Sequence, residues 1–161
     1  MTAAEVSSSS PRPLDAVDRR ILAEVQADGR LSVNELAARV SVARATAYQR
    51  LQRLEDDGVI RRYSAIVDLA RVGLGIAALI LVNVDQGDWR DARRRLLELP
   101  GVQYLALTSG TFDFVVLVRV PDVETLRDVV LVRLHGLPEV RSTQTVFVLE
   151  DQMLLNVVPP G

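Results

Sequence analysis

Four arginines and no acidic residue lie between positions 39 and 53, which is the clearest chemical pattern in this chain. They are Arg39, Arg44, Arg50 and Arg53. A guanidinium group donates paired hydrogen bonds to phosphate oxygens and to guanine, so such a cluster can bind duplex DNA. The whole chain has a formal net charge of −2 and a pI of about 5.4. Only the local charge therefore favours nucleic acid.

The arginines lie on the second half of a predicted helix-turn-helix. Asp15 can cap a first helix, whose apolar residues recur at helical spacing. Ser32 and Glu35 form a Ser-x-x-Glu capping box at the start of a second helix. A third helix is predicted from about residue 43 to residue 57, with Gly58 as its C-terminal stop.

Helix three is predicted to bury residues 47, 51 and 54 and to turn its other face toward a DNA groove. The residues predicted to contact DNA are Arg44, Ala45, Thr46, Tyr48, Gln49, Arg50 and Arg53. Gln49 can pair with adenine, and an outward Arg53 can reach guanine or phosphate. Arg50 lies nearer the core flank, where a phosphate or an internal carboxylate is its partner. The alternative is a solvated helix with alternating charge.

A second candidate site is the predicted hairpin over residues 108–113, Thr-Ser-Gly-Thr-Phe-Asp. Gly110 can adopt positive φ and expose backbone N–H groups, which suit a carboxylate. Asp113 can accept a hydrogen bond from an ammonium group. An amino acid carries both groups. The residues alone nevertheless favour the alternative, a plain turn in which Asp113 is solvated.

The composition excludes several classes of function. Cysteine is absent, and His135 is the single histidine, so disulfides, thiolate metal sites and thiol catalysis are excluded. We expect no metal, no cofactor and no enzyme activity, because no nucleophile with a base and no paired catalytic carboxylates are recognisable. All 19 basic residues are arginine, which also fits a genome with biased base composition. No apolar run reaches the roughly 18 residues of a membrane span, and no signal peptide is evident, so we expect a cytoplasmic protein without membrane contact.

The hydrophobic period changes after Gly58, and this change predicts an α+β chain with two domains. A Ser- and Pro-containing disordered tail (1–13) precedes the helix-turn-helix (14–62), which is winged-helix-like. A strand-like linker (63–75) follows, and a strand is predicted over residues 59–67. Residues 76–151 are predicted to form the second domain, and residues 152–161 a C-terminal tail.

The second domain is predicted to be a ferredoxin-like βαββαβ sandwich. Its predicted strands and helices, in chain order, are 76–84, 88–99, 102–108, 112–120, 122–135 and 140–149. A weak internal repeat supports duplication, because Leu99-Pro100-Gly101-Val102 is followed later by Leu137-Pro138-Glu139-Val140. Helices cover only one face of such a sheet. The other face is apolar and is most simply covered by a second copy, so we expect a homodimer.

Several spaced motifs resemble the Lrp/AsnC (leucine-responsive, or feast/famine) family of transcription regulators. The resemblance covers about residues 14–151 and rests on four motifs in the family's order. They are Leu14-Asp15-x-x-Asp18-x-x-Ile21-Leu22, Asp28-Gly29-Arg30-Leu31-Ser32, Arg50-Leu51-x-Arg53-Leu54-Glu55-x-x-Gly58-Val59-Ile60 and Gly110-x-x-Asp113. The chain departs from the family in two places: Ala43 stands where a serine or threonine often caps helix three, and Thr111 follows Gly110 where an acid is common.

The resemblance implies a DNA-binding regulator whose second domain binds a small effector, usually an amino acid. It also implies sheet-to-sheet dimers that assemble into octamers. Carried over by position, the effector pocket would be lined by Leu107, Ser109, Gly110, Thr111 and Asp113. Two alternatives stay open: a metabolite-binding, oligomerising module that does not bind DNA, and a DNA-organising protein of the same family that has no ligand.

Overall fold

A computed structural model of the chain describes residues 13–85, 87 and 89–152. These residues form two compact units, 13–66 and 67–152, and the break falls inside the segment expected to link the domains. Apart from Pro13 and Gln152, the two predicted tails lie outside the described residues.

Three helices form the first unit, and side chains cap the first two. They are α1 (Ala16–Ala27), α2 (Val33–Arg39) and α3 (Arg44–Asp56). Asp15 Oδ1 accepts hydrogen bonds from the N–H groups of Val17 and Asp18, at 2.8 and 2.9 Å. Ser32 Oγ accepts from the Glu35 N–H at 3.2 Å, and Glu35 Oε2 accepts from the Ser32 N–H at 2.9 Å. Both predicted caps are confirmed, and they satisfy donors that a helix leaves unpaired.

The third helix has no side-chain cap at its start. Ala43 is the N-cap residue and forms no side-chain hydrogen bond, and Ser41, in the turn at φ +55°, does not replace it. At the other end, Gly58 adopts φ +68°, a left-handed conformation that favours glycine. The Ile60 N–H then donates to the Leu54 carbonyl at 2.9 Å, which closes the helix end as predicted.

A small apolar core holds the three helices together. Its buried members are Ile21, Leu22, Leu36, Val40 and Leu54. Full burial of such a side chain stabilises a fold by about 1.5–3 kcal/mol. Because all three helices contribute, the core fixes which side of α3 is turned away from α1 and α2.

The predicted strand over residues 59–67 is wrong. Residues 61–68 form neither helix nor strand. Ile66 and Val67 are 79% and 51% exposed, so their apolar side chains do not form one face of a sheet. A strand is stabilised by hydrogen bonds to a neighbour, and all four described strands pair with one another in the second unit.

The second unit is a four-stranded antiparallel sheet with order β2-β3-β1-β4, the order of the predicted ferredoxin-like fold. Its strands are β1 (Ile76–Val84), β2 (Val102–Leu107), β3 (Phe114–Val120) and β4 (Val140–Val148). Its helices are α4 (Trp89–Leu97), α5 (Val123–Arg127) and a π-helix that continues α5 over Asp128–Leu134.

The two faces of this sheet differ in what covers them. Ile80 and Val116, directly opposite each other on β1 and β3, are buried with Leu96 of α4 and Val129 of the π-helix. Side chains alternate along a strand, so the next positions point to the other face. That face carries Leu79, Leu81, Val115, Leu117 and Val146, of which Val146 is 43% exposed. We call these five residues the open sheet face.

Several predicted boundaries of this unit need correction. The strand predicted from residue 112 begins at Phe114, and the helix predicted to residue 99 ends at Leu97. The single helix predicted over residues 122–135 becomes α5 and a π-helix, whose hydrogen bonds span one residue more. His135 ends it and lies 2.9 Å from Thr143, measured from Nε2 to Oγ1.

None of the helices in the described part of the chain combines the length and the apolar character that crossing a bilayer requires.

Candidate nucleic-acid interface and candidate effector site

Helix α3 presents a polar face on the side opposite its buried residues. Ala47 and Leu54 are fully buried, and Leu51 is partly buried. The exposed members of the predicted DNA contacts are Arg44, Ala45, Tyr48 and Gln49, and Thr46 is half-buried. A face of this width and polarity fits a recognition helix.

Three of the four arginines of the opening pattern are held by carboxylates. Arg39 Nη1 lies 3.1 Å from Glu24 Oε2. Arg50 Nη1 donates to Asp15 Oδ2 at 2.5 Å and to Asp18 Oδ1 at 2.9 Å. Arg53 Nη2 donates to Asp18 Oδ2 at 2.6 Å.

Arg44 is exposed and has no ion pair within residues 13–85, 87 and 89–152. The cationic surface of α3 is therefore smaller than the residue count indicates.

Asp18 organises this cluster, although it is not among the residues predicted from the sequence to form the DNA-binding surface. Its side chain is 1% exposed and lies between two arginines that are 32 and 35 residues away in the chain. One signal was available: Asp18 precedes the buried Ile21 and Leu22 by three and four residues, so it lies on the apolar stripe of α1. An acid on a buried stripe needs a cationic partner.

The orientation predicted for Arg53 is wrong. Arg53 was expected to point outward, but its guanidinium turns toward Asp18 and its side chain is 28% exposed. For Arg50, one of the two predicted partners, an internal carboxylate, is confirmed. The Arg50 guanidinium is the largest influence on Asp15 and lowers the pKa of that carboxyl from 3.8 to about 2. The two carboxylates in turn raise the pKa of Arg50.

The coil after α3 is tied back to that helix by one side chain. The Tyr63 hydroxyl donates to Glu55 Oε1 at 2.7 Å. The pKa of Tyr63 is raised to about 12, mainly by partial burial and to a smaller extent by this carboxylate. Arg61 and Arg62, in the same coil, are exposed.

The second unit carries the predicted effector residues in the turn between β2 and β3. The Thr108 N–H donates to the Asp113 carbonyl at 2.8 Å, which closes the turn. Gly110 has φ +152°. The predicted residues Leu107, Ser109, Gly110 and Thr111 are all exposed, and Leu107 is 55% exposed. The tip of the turn thus presents backbone and small polar groups to solvent.

The backbone and side chain of Asp113 are bonded to the sheet. Asp113 is therefore not the free surface carboxylate that the plain-turn alternative required. Its N–H donates to the Val82 carbonyl at 3.0 Å, and its Oδ2 accepts from the Val84 N–H at 2.9 Å. These contacts join the start of β3 to the end of β1. Oδ1 accepts no hydrogen bond from the described residues. Asp113 therefore holds a carboxylate oxygen at a fixed position beside the turn.

Each of the two units matches a known protein family. Residues 14–61 match the family described as winged helix-turn-helix DNA-binding. Residues 77–153 match the family described as Lrp/AsnC ligand binding domain. Together these matches include α1, α2 and α3 and, apart from Ile76 at the start of β1, all the strands and helices of the sheet unit.

Similar proteins match over nearly the full chain. The transcriptional regulator AldR of Mycobacterium tuberculosis is 36% identical over 92% of this chain and 84% of its own. The regulator FL11 of Pyrococcus horikoshii is 31% identical over 91% of this chain and 97% of its own. The crystal structure of a transcriptional regulator from Neisseria meningitidis in complex with L-Met is 29% identical, with a TM-score of 0.86, and the match covers 91% of this chain and 97% of that one.

The matched proteins are transcription regulators. The chain belongs to the Lrp/AsnC family: it is a helix-turn-helix DNA-binding transcription regulator with a ligand-binding domain.

Proposed function

We propose that this regulator binds specific DNA sequences through α3, and that an amino acid or a related metabolite bound at the β2–β3 turn modulates this binding. The observation that supports the DNA-binding part is the arrangement of α3. The core of its unit fixes the buried side of α3, and the opposite side carries polar residues that the rest of the described chain leaves exposed.

The exposed residues of α3 suit distinct contacts with duplex DNA. Gln49 can donate to and accept from adenine. Arg44, which among the four arginines of the opening pattern has no ion pair to the described residues, can pair with guanine or phosphate. Ala45 permits close approach, and Thr46 and Tyr48 lie on the flanks. Arg53 has guanidinium N–H groups beyond those that bond to Asp18, and we assign Arg53 and Arg50 to the phosphate backbone.

We also propose that two copies pair through the open sheet face. Its apolar side chains have no helix over them within their own unit. A two-fold pairing would present two α3 helices, which would meet half-sites about 34–36 Å apart or a multiple of that distance. Further assembly to octamers is the state implied by the family.

The proposed effector site consists of the turn and Asp113. Backbone N–H groups at Ser109, Gly110 and Thr111 suit a carboxylate, and Asp113 Oδ1 suits an ammonium group. Leu107 offers an exposed apolar contact for a side chain. The L-Met in the complex of the Neisseria meningitidis regulator supports an amino acid as the ligand class.

Selection from a pool of random duplexes tests the DNA-binding proposal. We expect the protein to enrich a motif with two related halves. Gln49→Ala should weaken binding to the enriched duplex by about fivefold or more and relax the preference at one base pair, because a bidentate pair is worth about 1–3 kcal/mol. Gln26→Ala, which removes an exposed glutamine of α1, is the matched control and should have no effect.

Other outcomes would favour the alternatives. Failure to bind or enrich any duplex would contradict the proposal and favour a metabolite-binding module. Tight binding without a motif, together with no heat in calorimetry with any of the twenty amino acids, would favour a ligand-independent DNA-organising protein.

A further inference from the structure

We propose that Asp15, in the free protein, occupies the position on Arg50 that a DNA phosphate oxygen takes in the complex, while the buried Asp18 holds Arg50 in place. Asp15 is then an internal competitor of the DNA backbone, and Asp18 is a positioning residue. This inference rests on the proposed DNA-binding function and adds the mechanism by which one phosphate contact forms.

Arg50 uses one nitrogen for both carboxylates. Its Nη1 lies 2.5 Å from Asp15 Oδ2 and 2.9 Å from Asp18 Oδ1. Because Nη1 carries two hydrogens, these two hydrogen bonds saturate it. A phosphate oxygen that binds this nitrogen must therefore replace one of the two carboxylates.

The two carboxylates differ in how readily they can be replaced. The Asp18 side chain is 1% exposed, and its oxygens also accept from Arg53 and from the Asp15 N–H, at 2.6 and 3.1 Å. Removing a partner from such a buried anion is strongly unfavourable. The Asp15 side chain is 51% exposed, and exposed ion pairs contribute little to stability. Asp15 is therefore the partner that exchanges.

Exchange at Asp15 does not require α1 to unwind. The two oxygens of Asp15 have separate tasks: Oδ1 accepts the capping hydrogen bonds from Val17 and Asp18, and Oδ2 alone accepts from Arg50. Oδ2 can leave Arg50 while the cap stays intact. Arg50 also keeps two anionic partners through the exchange, because a phosphate oxygen takes the position of one carboxylate oxygen.

The position is suited to a phosphate next to a base contact. Asp15, Asp18, Gln49, Arg50 and Arg53, with Pro13, line a recess of about 440 Å³. Gln49 is the exposed residue assigned above to base recognition. Contacts with phosphates position a protein on the duplex, and contacts with bases read the sequence. A phosphate on Arg50 would fix the register in which Gln49 reads.

Binding of a fluorescein-labelled duplex from the selection, measured by anisotropy between about 50 and 200 mM salt, tests this exchange. Asp15→Asn keeps a good N-cap but removes the anionic competitor, so we expect the dissociation constant to fall by about two- to fivefold. Arg50→Gln should make the salt slope shallower by about 0.9. In the Arg50→Gln background, Asp15→Asn should give no gain.

Asp56→Asn is the matched control, since it removes one exposed negative charge from α3 itself. Asp56→Asn should lower the dissociation constant by less than Asp15→Asn does, and its effect should be the same with and without Arg50. Asp15→Ser, which also caps, provides a second variant should Asp15→Asn lose helix content in circular dichroism.

Two results would overturn the exchange: an unchanged dissociation constant for both Asp15 variants, or an equal gain with and without Arg50. Absence of binding by the wild-type protein would instead overturn the proposed function itself.

Discussion

Asp18 shows how one buried charge decides what two arginines can do. It is 1% exposed and accepts hydrogen bonds from Arg50 and Arg53, so both guanidinium groups are drawn toward α1. Arg44 and Gln49 are then the exposed groups best suited to base edges. Local spacing placed Arg53 on the outward side of α3 and Arg50 nearer the core flank. It did not place Asp18 beside them, because that contact joins residues more than 30 positions apart.

The Asp15 carboxyl should titrate near pH 2 because Arg50 stabilises its charged form. Its folded-state pKa lies below the unfolded value, so its contribution to stability is present above about pH 4 and is lost as the pH falls through 2. Carbon-detected NMR of the side chain measures this directly. In Arg50→Gln the pKa should return toward 3.8. A pKa that does not move would contradict the Arg50 contact.

At the scale of elements, the two copies of the internal repeat diverge at one position. Gly101 has φ +80°, and a Cβ there would lie 2.3 Å from the Arg119 carbonyl oxygen. Glu139 holds the equivalent position in the second copy, where its side chain is 9% exposed and pairs with Arg95 at 3.2 Å. The neighbouring strand β3 therefore requires glycine in the first copy only.

Gly101→Ala should destabilise the sheet unit much more than Gly73→Ala. Both glycines have positive φ, +80° and +86°, so both substitutions incur the left-handed penalty of about 1–2 kcal/mol. In the part of the chain that the structure describes, no atom lies within 4 Å of a Cβ added at Gly73, whereas a Cβ added at Gly101 meets backbone. The clash should add about 1–3 kcal/mol, measurable by urea unfolding of each variant. An equal loss of stability in the two variants would mean that β3 moves away from the Cβ added at residue 101 at no cost in free energy.

Elements with local signals could be predicted, and elements that depend on distant contacts could not. Residues close in the sequence determine the caps at Asp15 and Ser32 and the stop at Gly58, and the structure confirms all three. The segment 59–67 has strand-like composition but no neighbouring strand, so it forms none. The π-helix after α5 begins without a break in the apolar pattern, so periodicity did not reveal it.

At the scale of the molecule, the open sheet face is the surface we assign to self-association. Leu79, Leu81, Val115 and Leu117 occupy its centre on β1 and β3 and are half-buried. Apolar side chains in adjacent strands form a continuous patch, and such patches mark interfaces in soluble proteins. The fold class could be predicted because runs rich in Val, Ile and Leu, separated by helical segments, identified all four strands.

Leu117→Glu should weaken the proposed dimer more than about a hundredfold, because it would place an unpaired charge inside the interface. Val123→Glu is the control: Val123 is an apolar residue of α5 with 56% exposure, and it does not belong to the open sheet face. Sedimentation velocity across protein concentrations measures both. An unchanged oligomer in Leu117→Glu would place the interface elsewhere.

The carboxylates around α3 also bear on the kinetics of finding a site. Residues 13–66 contain nine arginines and eight acids, so this unit exerts almost no long-range attraction on a polyanion. Diffusional encounter should then proceed near the unsteered rate of about 10⁵–10⁶ M⁻¹ s⁻¹ and respond weakly to ionic strength. Differences between duplexes would reside in the lifetime of the complex once it has formed.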